Sequence, residues 1–429
     1  PLREPYIAYQ QGSLTYEYGK LGLAKALEQI EKDGTSLMFA LGEYFYWCAE
    51  NDIESLLTVP TPTRNVNPNI EWSRNELKYN NKTNIKRFHM YGEGKNPIAR
   101  AFRYLLCECV QLSYCLFKKY DVLFVDSTPP IQGLKLPLVK LLRRKKVVYN
   151  LQDIFPDSLV GTGLAKKDGI LWKIGRVIEN ITYKYSDKII VISEDFKRNI
   201  MAKGVPEEKI VVVYNWVDEE AVKHVAREKN VLFDRYGLDR NKFYITYCGN
   251  IGLTQNLQML TEVAKDLEGN EDIQFVLVGN GAYKDELERI IQEREIKNIT
   301  LLPFQPYEEI SHVFSLGDVS LVISKPGVGE NSVPSKTWSI LSASRPVLAN
   351  FDENELKDIV AENQCGIFTK AGDKAAFTEA ILKLYNNREL CEEYGKNGRE
   401  FIMKNLTRAV GTQKYVDVIK SFEREDMND

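Results

Sequence analysis

A lysine at the start of a predicted helix occupies the position that most strongly suggests chemistry. The stretch Lys325-Pro-Gly-Val-Gly-Glu-Asn-Ser-Val-Pro-Ser-Lys336 joins a β-rich run, 319–324, to a helix-like segment entered at Pro334. Ser335 is a natural helix N-cap. Lys336 then lies in the first turn, where a cation opposes the helix dipole unless an anion is bound there. The pattern predicts that Ser335 and Lys336 bind a phosphate.

Two glycine-containing segments follow other β-rich runs. One is Gly249-Asn250-Ile251-Gly252, and the other is Gly279-Asn280-Gly281. Glycine lets backbone amides approach an anion closely, and a helix after the first segment adds a favourable dipole. A tight turn between strand and helix is the alternative for the first segment, and Asn-Gly by itself favours a turn in the second. We therefore predict that the first segment contacts a diphosphate and the second a nucleoside. A simple turn remains the alternative for both segments.

Strands and helices alternate around these segments. In the C-terminal half, segments with apolar residues three and four apart separate the β-rich runs 243–250, 273–280, 299–304, 319–324 and 346–351. The N-terminal half carries β-rich runs at 36–40, 85–91, 121–127, 146–150, 188–193 and 209–215, and helical segments at 16–33, 98–119 and 170–185. The stretch 58–84 is rich in Pro, Asn and Thr and is predicted to be a long loop. Repeated strand–helix–strand units predict parallel sheets with helices on both faces.

We therefore predict the α/β class, with two doubly wound, Rossmann-like domains facing a central cleft. In such sheets ligands bind at the carboxyl ends of the strands. The predicted boundaries are 1–215 for the N-terminal domain, 216–239 for the interdomain connection and 240–410 for the C-terminal domain. We expect a C-terminal helix over about 411–429 to pack back on the first domain.

Charge and the scarcity of His and Cys limit the function classes. The 429 residues carry 57 Lys and Arg against 60 Asp and Glu, a net charge of −3, which argues against a general nucleic-acid binder. Three His, and seven Cys without a C-x-x-C pair, predict neither a metal centre nor a disulfide framework. The longest apolar region, 104–117, is too short to span a bilayer. We expect a cytoplasmic protein with no metal or other cofactor.

The motifs occur together in an order that resembles one enzyme family. They are similar to the donor half of family-four retaining glycosyltransferases of the GT-B fold, in residues 249–252, 278–281, Leu302-Pro-Phe-Gln-Pro306, Pro334-Ser-Lys336 and Arg345-Pro-Val347. Tyr149-Asn-Leu-Gln-Asp153-Ile-Phe-Pro156 looks like a family segment of the N-terminal half. The likeness is greatest to bacterial enzymes that build capsule, O-antigen or colanic-acid-type polysaccharides. It implies transfer from a nucleotide-diphosphate sugar, a UDP-sugar by preference, to a glycan or polyprenyl-linked acceptor.

The resemblance also implies residue roles. The 249–252 segment faces the donor phosphates and sugar, Gly279 and Gly281 lie by the nucleoside, and Ser335 and Lys336 hold the diphosphate. The backbone of Phe304 and Gln305 is expected to contact the base, and Asn280 and Pro334 the donor. Asp153 is expected to face the acceptor.

This sequence departs from the family at the donor sugar and at the first phosphate loop. The Glu-x7-Glu slots fall on Asn331 and Ser339, with Glu330 one position away and able to reach the sugar from a flexible loop. Ser339 could bond a ribose hydroxyl. Asn250 and Gln255 replace the basic residues of the phosphate loop. Lys336 must then supply most of the positive charge.

The implied mechanism retains the anomeric configuration and uses Lys336, Asn250 and Asp153. No Asp-x-Asp motif occurs in the chain, which favours metal-free stabilisation of the leaving diphosphate by dipoles and Lys336. Asp153 is the candidate for orienting or deprotonating the acceptor hydroxyl. A helix cap or turn former is an equally simple explanation of Asp153.

A membrane surface is a predicted partner at the inner face of the plasma membrane. The basic cluster 143–146 follows the apolar segment 131–142, and the segment 98–119 has basic ends. Anionic headgroups attract such cations. Cations at the C-terminus of an ordinary core helix are the alternative.

Two other functions remain open. UDP-sugar 2-epimerases share the architecture, although the three His of this chain are few for that chemistry. A catalytically degenerate transferase acting as a partner or regulatory subunit is compatible with the missing Glu pair. The Ser335–Lys336 helix entry argues against degeneracy.

Overall fold

A computed structural model describes residues 6–8, 15–17, 48–60, 74–78, 81–91, 97–127, 129–161, 166–329 and 333–426. The chain divides into two compact units, one of residues 1–214 with 411–429 and the other of residues 215–410. The segment predicted to connect the domains, 216–239, lies within the second unit, where Ser311 Oγ donates to Ala221 O at 2.6 Å and Arg399 donates to Val222 O at 3.1 Å.

The described part of the first unit forms three sheets. Its described strands are β1 (Tyr6–Ala8), β2 (Thr15–Glu17), β3 (Ser55–Pro60), β4 (Asn75–Lys78), β5 (Thr83–Phe88), β6 (Val122–Asp126), β7 (Lys146–Leu151), β8 (Lys188–Val191) and β9 (Ile210–Val212). Strands β6 to β9 form a parallel sheet in sequence order. The helices of the unit that fall in the described ranges are α1 (Pro97–Phe117), α2 (Leu136–Arg143), α3 (Asp157–Gly161), α4 (Ile170–Tyr185) and α5 (Glu194–Ala202). Buried Val147, Tyr149 and Ile189 belong to its apolar core.

The second unit contains one six-stranded parallel sheet. Its strands are β10 (Phe243–Cys248), β11 (Ile273–Val278), β12 (Ile299–Leu302), β13 (Val319–Ile323), β14 (Val347–Phe351) and β15 (Gly366–Lys370). Its helices are α6 (Val231–Tyr236), α7 (Leu257–Asp266), α8 (Lys284–Glu293), α9 (Ile310–Phe314), α10 (Lys336–Ser342), α11 (Glu355–Glu362), α12 (Lys374–Asn386) and α13 (Arg388–Asn405); α14 (Arg408–Asp426) ends the described chain. The strand order is β12-β11-β10-β13-β14-β15. Buried strands on both faces explain the continuous apolar runs in the sequence.

The predicted α/β class with parallel sheets is confirmed. Some of the predicted secondary-structure elements differ from those of the structure. Helix α4 coincides with the predicted 170–185 segment. The predicted 58–84 loop is wrong, because it contains the end of β3, strand β4 and the start of β5. The helix predicted from residue 16 is wrong at its start, since Thr15–Glu17 pairs with β1; its remainder and the 36–40 run lie outside the described residues. Strand β15 was not predicted because Gly366 opens it and its residues alternate less clearly.

Candidate functional site

The candidate site lies at the carboxyl edge of the second unit's sheet. Strands β10 and β13 are neighbours, and the strand order reverses between them, with β11 and β12 on one side and β14 and β15 on the other. Open α/β sheets bind ligands in the crevice outside such a reversal. The segment after β10 and the segment after β13 are joined there by a hydrogen bond from Lys325 N to Thr254 O at 2.8 Å. The topology therefore brings the predicted phosphate segments together.

The ammonium group of Lys336 lies inside this crevice. Its Nζ donates to the Tyr247 hydroxyl at 3.0 Å and lies 4.0 Å from the centre of the Tyr247 ring. A Cβ atom built on Gly249 would be 3.6 Å from Nζ. The residue retains some exposed surface, but burial around the ammonium lowers the pKa of Lys336 to about 8. Among the described residues no carboxylate contributes to the pKa of Lys336, so an anion would supply the missing negative charge.

Tyr247 connects this lysine to the glycine segment after β10. The Tyr247 hydroxyl donates to Asn250 O at 2.7 Å while it accepts from Lys336. The side chain is fully buried, and burial raises its pKa. A neutral phenol can perform both roles at once. Tyr247 was not among the predicted site residues, although an aromatic residue two positions before Gly249 is visible in the sequence.

Three amides of the 249–252 segment are engaged within the protein. The amide of Gly249 donates to Val278 O at the end of β11 at 3.0 Å, and that of Ile251 donates to Asn280 O at 2.8 Å. The amide of Gly252 donates to Gln255 Oε1 at 3.1 Å. The exposed Asn250 side chain folds over Gly252, where a Cβ would lie 2.7 Å from Nδ2. The turn alternative thus accounts for three amides, and phosphate contacts by this segment stay a prediction.

Gly279 and Gly281 permit close packing of two loops. A Cβ on Gly279 would lie 1.9 Å from the carbonyl oxygen of Gly249, and one on Gly281 would lie 2.3 Å from that of Ile251. Their φ angles are +154° and +159°, where side chains are strained. The exposed Asn280 lies between them. Packing alone therefore explains both glycines, and their place beside a nucleoside remains a prediction.

The segment after β13 is held by a carboxylate. Asp352 accepts hydrogen bonds from the amides of Gly327 at 2.9 Å and Gly329 at 2.7 Å. Asn354 Nδ2 donates to Gly329 O at 2.8 Å. These bonds fix the backbone of the loop at both glycines. Glu330 and its neighbour Asn331 lie outside the described residues.

The entry to α10 differs from the predicted cap. Ser335 occupies the N-cap position with helical backbone angles of −58° and −25°, and its side chain makes no capping bond. The N-capping prediction is wrong because a side-chain cap requires extended backbone at that residue. Thr337 N donates to Pro334 O at 2.9 Å, which closes the turn through the backbone. Ser335 is exposed, and Ser339 is partly exposed one turn later.

The predicted base contacts lie after β12. Phe304 is exposed. Gln305 is buried, and its side chain donates to the Tyr236 hydroxyl at 2.8 Å and accepts from Arg235 at 3.2 Å. The Gln305 side chain is therefore used within the protein. Backbone contacts from these two residues to a base stay a prediction.

Asp153 follows β7 in the first unit. Its carboxylate accepts from Ser158 Oγ at 3.1 Å. The residue lines a small, open pocket together with Tyr149 and Tyr183. The residue is exposed at the pocket mouth, while burial against the pocket wall raises its pKa. The bond to Ser158 at the start of α3 agrees with the turn alternative without excluding an acceptor role.

A polar network beside Asp153 was not predicted. Tyr415 of α14 donates to Asn150 Oδ1 at 3.2 Å and accepts from Gln152 Nε2 at 3.3 Å. Asn150 Nδ2 donates to Asp126 Oδ1 at 2.8 Å. Tyr415 is far from β7 in the chain, so no local pattern could reveal the contact.

Metal ligands are not clustered in the described part of the chain. No group of three or more His, Cys, Asp or Glu side chains among those residues could hold a metal ion. The metal-free mechanism remains a prediction.

Two family models match this chain. The model for glycosyl transferases group 1 matches residues 228–401, and the model for glycosyltransferase family 4 matches residues 73–221. The first match contains the whole crevice described above, and the second contains Asp153.

Curated bacterial proteins resemble the chain over most of its length. WcaI of Escherichia coli (strain K12), whose name assigns it to colanic acid biosynthesis as a glycosyl transferase, is 31% identical over 286 residues, which are 66% of this chain and 70% of that protein. WbjE of Pseudomonas aeruginosa, named as a glycosyltransferase, is 25% identical over 308 residues, 71% and 75% of the two chains.

Solved structures share the fold. HepE (Alr3699) of Anabaena, in complex with UDP, aligns with a TM-score of 0.62 and 16% identity over 79% of this chain and 86% of its own. WaaG, a glycosyltransferase involved in lipopolysaccharide biosynthesis, aligns with a TM-score of 0.62 and 11% identity over 90% and 96% of the two chains.

Proposed function

Because this chain belongs to glycosyltransferase family 4 of the GT-B fold, we propose that it transfers a sugar from a UDP-sugar to a glycan or lipid-linked oligosaccharide. The proposed product is part of a bacterial surface polysaccharide, and the anomeric configuration is retained. The names of WcaI and WbjE support the polysaccharide and transferase roles. The UDP complexes of a structure with the same fold support the choice of base.

The Lys336 ammonium beside Gly249 is the observation that carries the proposal. When a nucleotide sugar reacts, negative charge grows on the leaving diphosphate. A cation already fixed in position stabilises that charge without reorganising when the reaction occurs. The position of Lys336 over the β10 segment, held by Tyr247, suits this role.

The other proposed donor contacts surround this cation. Asn250, on the exposed side of the turn, contacts the diphosphate or the transferred sugar. Ser335 adds a hydroxyl from the entry of α10, and Ser339 bonds the ribose one turn later. Gln255 must release the Gly252 amide before that amide can bind a phosphate oxygen.

Asp153 is the proposed partner of the acceptor hydroxyl. A raised carboxyl pKa makes its ionised form a better base, and burial produces that direction of shift. Replacing Asp153 by Asn would keep the bond to Ser158 while removing the base. We expect a lower kcat with an unchanged affinity for the donor nucleotide.

The donor proposal is tested by thermal unfolding with UDP, GDP, dTDP and ADP. A ligand at a hundred times its dissociation constant adds about 2.7 kcal/mol to the free energy of unfolding. We expect UDP to raise the midpoint most. A midpoint that no nucleotide diphosphate changes would contradict the proposal.

Turnover separates the enzyme from its alternatives. With UDP-sugars and a panel of glycan and polyprenyl-linked acceptors, we expect UDP release that requires acceptor, and an NMR spectrum of the product with the donor's anomeric configuration. A new sugar nucleotide formed without acceptor would indicate an epimerase. Binding without turnover on every acceptor would indicate a degenerate partner subunit.

The metal-free mechanism has its own test. We expect EDTA to leave the rate unchanged, because Lys336 and backbone dipoles carry the stabilisation. Loss of activity that Mg²⁺ or Mn²⁺ restores would contradict it. The proposed place of action is the inner face of the plasma membrane, where a polyprenyl-linked acceptor lies.

A further inference from the structure

Helix α4 exposes apolar residues along one face. Ile170, Leu171, Ile174 and Val177 are all more than half exposed, with Ile170 at 79%. Their spacing of one, three and three places them on a single stripe of the helix. A helix on the surface of a globular domain normally exposes its polar residues to solvent and buries its apolar ones. In α4 these apolar residues are the exposed ones.

The opposite face of α4 is charged and buried. Glu179 is buried and forms ion pairs with Arg176 and with Lys203, the latter at 2.9 Å. The Tyr183 hydroxyl donates to Glu179 at 2.7 Å. The buried charge of this helix thus has partners inside the protein. The helix could not turn this polar face to solvent without breaking those contacts. The exposed stripe is a fixed consequence of how α4 packs.

Helix α2, which packs against α4, also exposes apolar residues. Leu138, Leu141 and Leu142 are exposed, Leu141 at 74%, whereas Leu136 and Val139 are buried. Three leucines at spacings of three and one again define one face. We call the exposed residues of these two helices the α2–α4 apolar face. An apolar surface shared by adjacent helices marks an interaction site more strongly than scattered residues do.

The charges around this face are mostly positive. The sequences of α2 and α4 contain a single carboxylate, Glu179, which is buried. Exposed Lys173 lies on α4, and exposed Arg144 follows α2. Exposed Lys166 and Lys167 precede α4 together with one exposed carboxylate, Asp168, so cations outnumber anions there. Cations beside an apolar face match anionic lipid headgroups above an acyl layer. Two copies of the chain meeting through this face would bring like charges together.

The basic cluster predicted to contact a membrane is partly used inside the protein. Arg143 donates to the backbone carbonyls of Leu116 and Lys118, and Lys145 pairs with Asp121 at 3.5 Å. Lys146 lies over the Phe422 ring, with Nζ 5.4 Å from its centre. Within the described ranges no helix is both long and apolar enough to cross a bilayer. Apolar side chains, rather than the 143–146 cluster, would therefore provide the main attachment.

We propose that the α2–α4 apolar face inserts into the interfacial layer of an anionic lipid bilayer. Leu141 and Ile174 are the deepest anchors, and the flanking lysines contact headgroups. Membrane attachment would place the first unit at the surface that holds a lipid-linked acceptor. Its role in the cell rests on the proposed function, the transfer of a sugar to such an acceptor. Attachment through apolar anchors also predicts that salt weakens binding without abolishing it.

Vesicle flotation of the whole chain tests this proposal without requiring activity. Vesicles of phosphatidylcholine with phosphatidylglycerol should carry the protein upward, including at high salt. Leu141→Glu and Ile174→Glu should each weaken binding about tenfold or more, since a side chain of this size loses its apolar burial. Met403→Glu is the matched control, because Met403 is an exposed apolar residue of the second unit. Circular dichroism establishes that each variant is folded.

Three results would overturn the proposal. The parent protein could fail to float with anionic vesicles. The two face variants could float like the parent. Sedimentation could detect a dimer that the face variants abolish, which would assign the face to a second copy of the chain. A failure of flotation combined with normal sugar transfer would refute the membrane proposal alone.

Discussion

Helices α10 and α4 each bury a charged residue, although charged residues usually lie on the protein surface. The two helices differ in how the buried charge is compensated. In α10, Lys336 is enclosed, and none of the described carboxylates pairs with it. In α4, Glu179 is enclosed with two cations, and the unusual surface is the apolar one outside. An unpaired buried cation is stabilised by a small anion, whereas an exposed apolar stripe needs an extended partner. The second unit is therefore suited to a nucleotide and the first to a large surface.

The largest expected effect concerns the interior of α4. Glu179→Ala would remove the buried partner of Arg176 and one of the two partners of Lys203, which keeps Asp157 at 2.7 Å, so we expect a loss of about 3 kcal/mol of unfolding free energy. Urea unfolding measures this change. Lys173→Ala, on the exposed side of the same helix, should change stability by less than about 0.5 kcal/mol. Equal effects of the two substitutions would remove the distinction between the inner and outer faces.

The second effect concerns the cation of α10. Lys336→Ala should lower kcat/KM by about 10²-fold or more, the loss typical of one charge-stabilising donor. Lys357→Ala is the matched control, since Lys357 is an exposed lysine paired with Glu353 on the surface. Steady-state rates within a few-fold of the parent for Lys336→Ala would show that the enclosed cation does not act on the leaving group.

The third effect is a pH dependence of nucleotide binding. Burial holds the pKa of Lys336 at about 8, so the protonated form that attracts a diphosphate is lost as pH rises through that value. The affinity for UDP should fall toward tenfold per pH unit above it. Lys336→Arg stays charged and should bind with a flat profile. A parent profile that is also flat between pH 7 and about 9 would contradict the assignment.

The lowered pKa of Lys336 affects folding stability in the opposite direction: nucleotide affinity falls as pH rises, whereas the free energy of unfolding increases. The ordinary lysine pKa is 10.5, so the unfolded chain binds more protons than the folded one between the two values. The contribution of Lys336 therefore makes the unfolding free energy rise with pH across that window. Comparing parent and Lys336→Ala unfolding at the two ends of the window isolates this contribution.

The smallest expected effect concerns Tyr247. Tyr247→Phe keeps the ring beneath Lys336 but removes the hydrogen bonds to Nζ and to Asn250. A loss of about 1 kcal/mol corresponds to roughly fivefold weaker UDP binding. If Tyr247 positions Lys336, the pH profile should also shift, which a loss of packing alone would not produce. An unchanged affinity and profile would reduce Tyr247 to a core residue.

The sequence predicted the second unit well because its signals are local. Apolar runs of β10 to β14, each followed by glycine, proline or a helix start, place the site segments at one sheet edge. Lys336 was found because a cation in a first helical turn conflicts with the dipole. The engagement of Gly252 by Gln255 and of Gly327 by Asp352 depends on tertiary contacts, which no spacing in the sequence expresses.

The first unit was predicted less completely, for a physical reason. The periodicity of α4 correctly predicted a helix, but periodicity does not reveal which face is buried when ions pair inside. Lys203, which completes the Glu179 cluster, lies on another element. Tyr415 reaches Asn150 from the last helix. Such contacts are fixed only when distant segments pack.

The central claim, that Lys336 recognises the donor diphosphate, is tested most directly by titration calorimetry with two ligands. UDP and uridine differ only in the diphosphate, and each is titrated into the parent and into Lys336→Ala. The account predicts equal uridine affinity in both proteins and a much weaker UDP affinity in the variant. Equal UDP affinity in both proteins would contradict it.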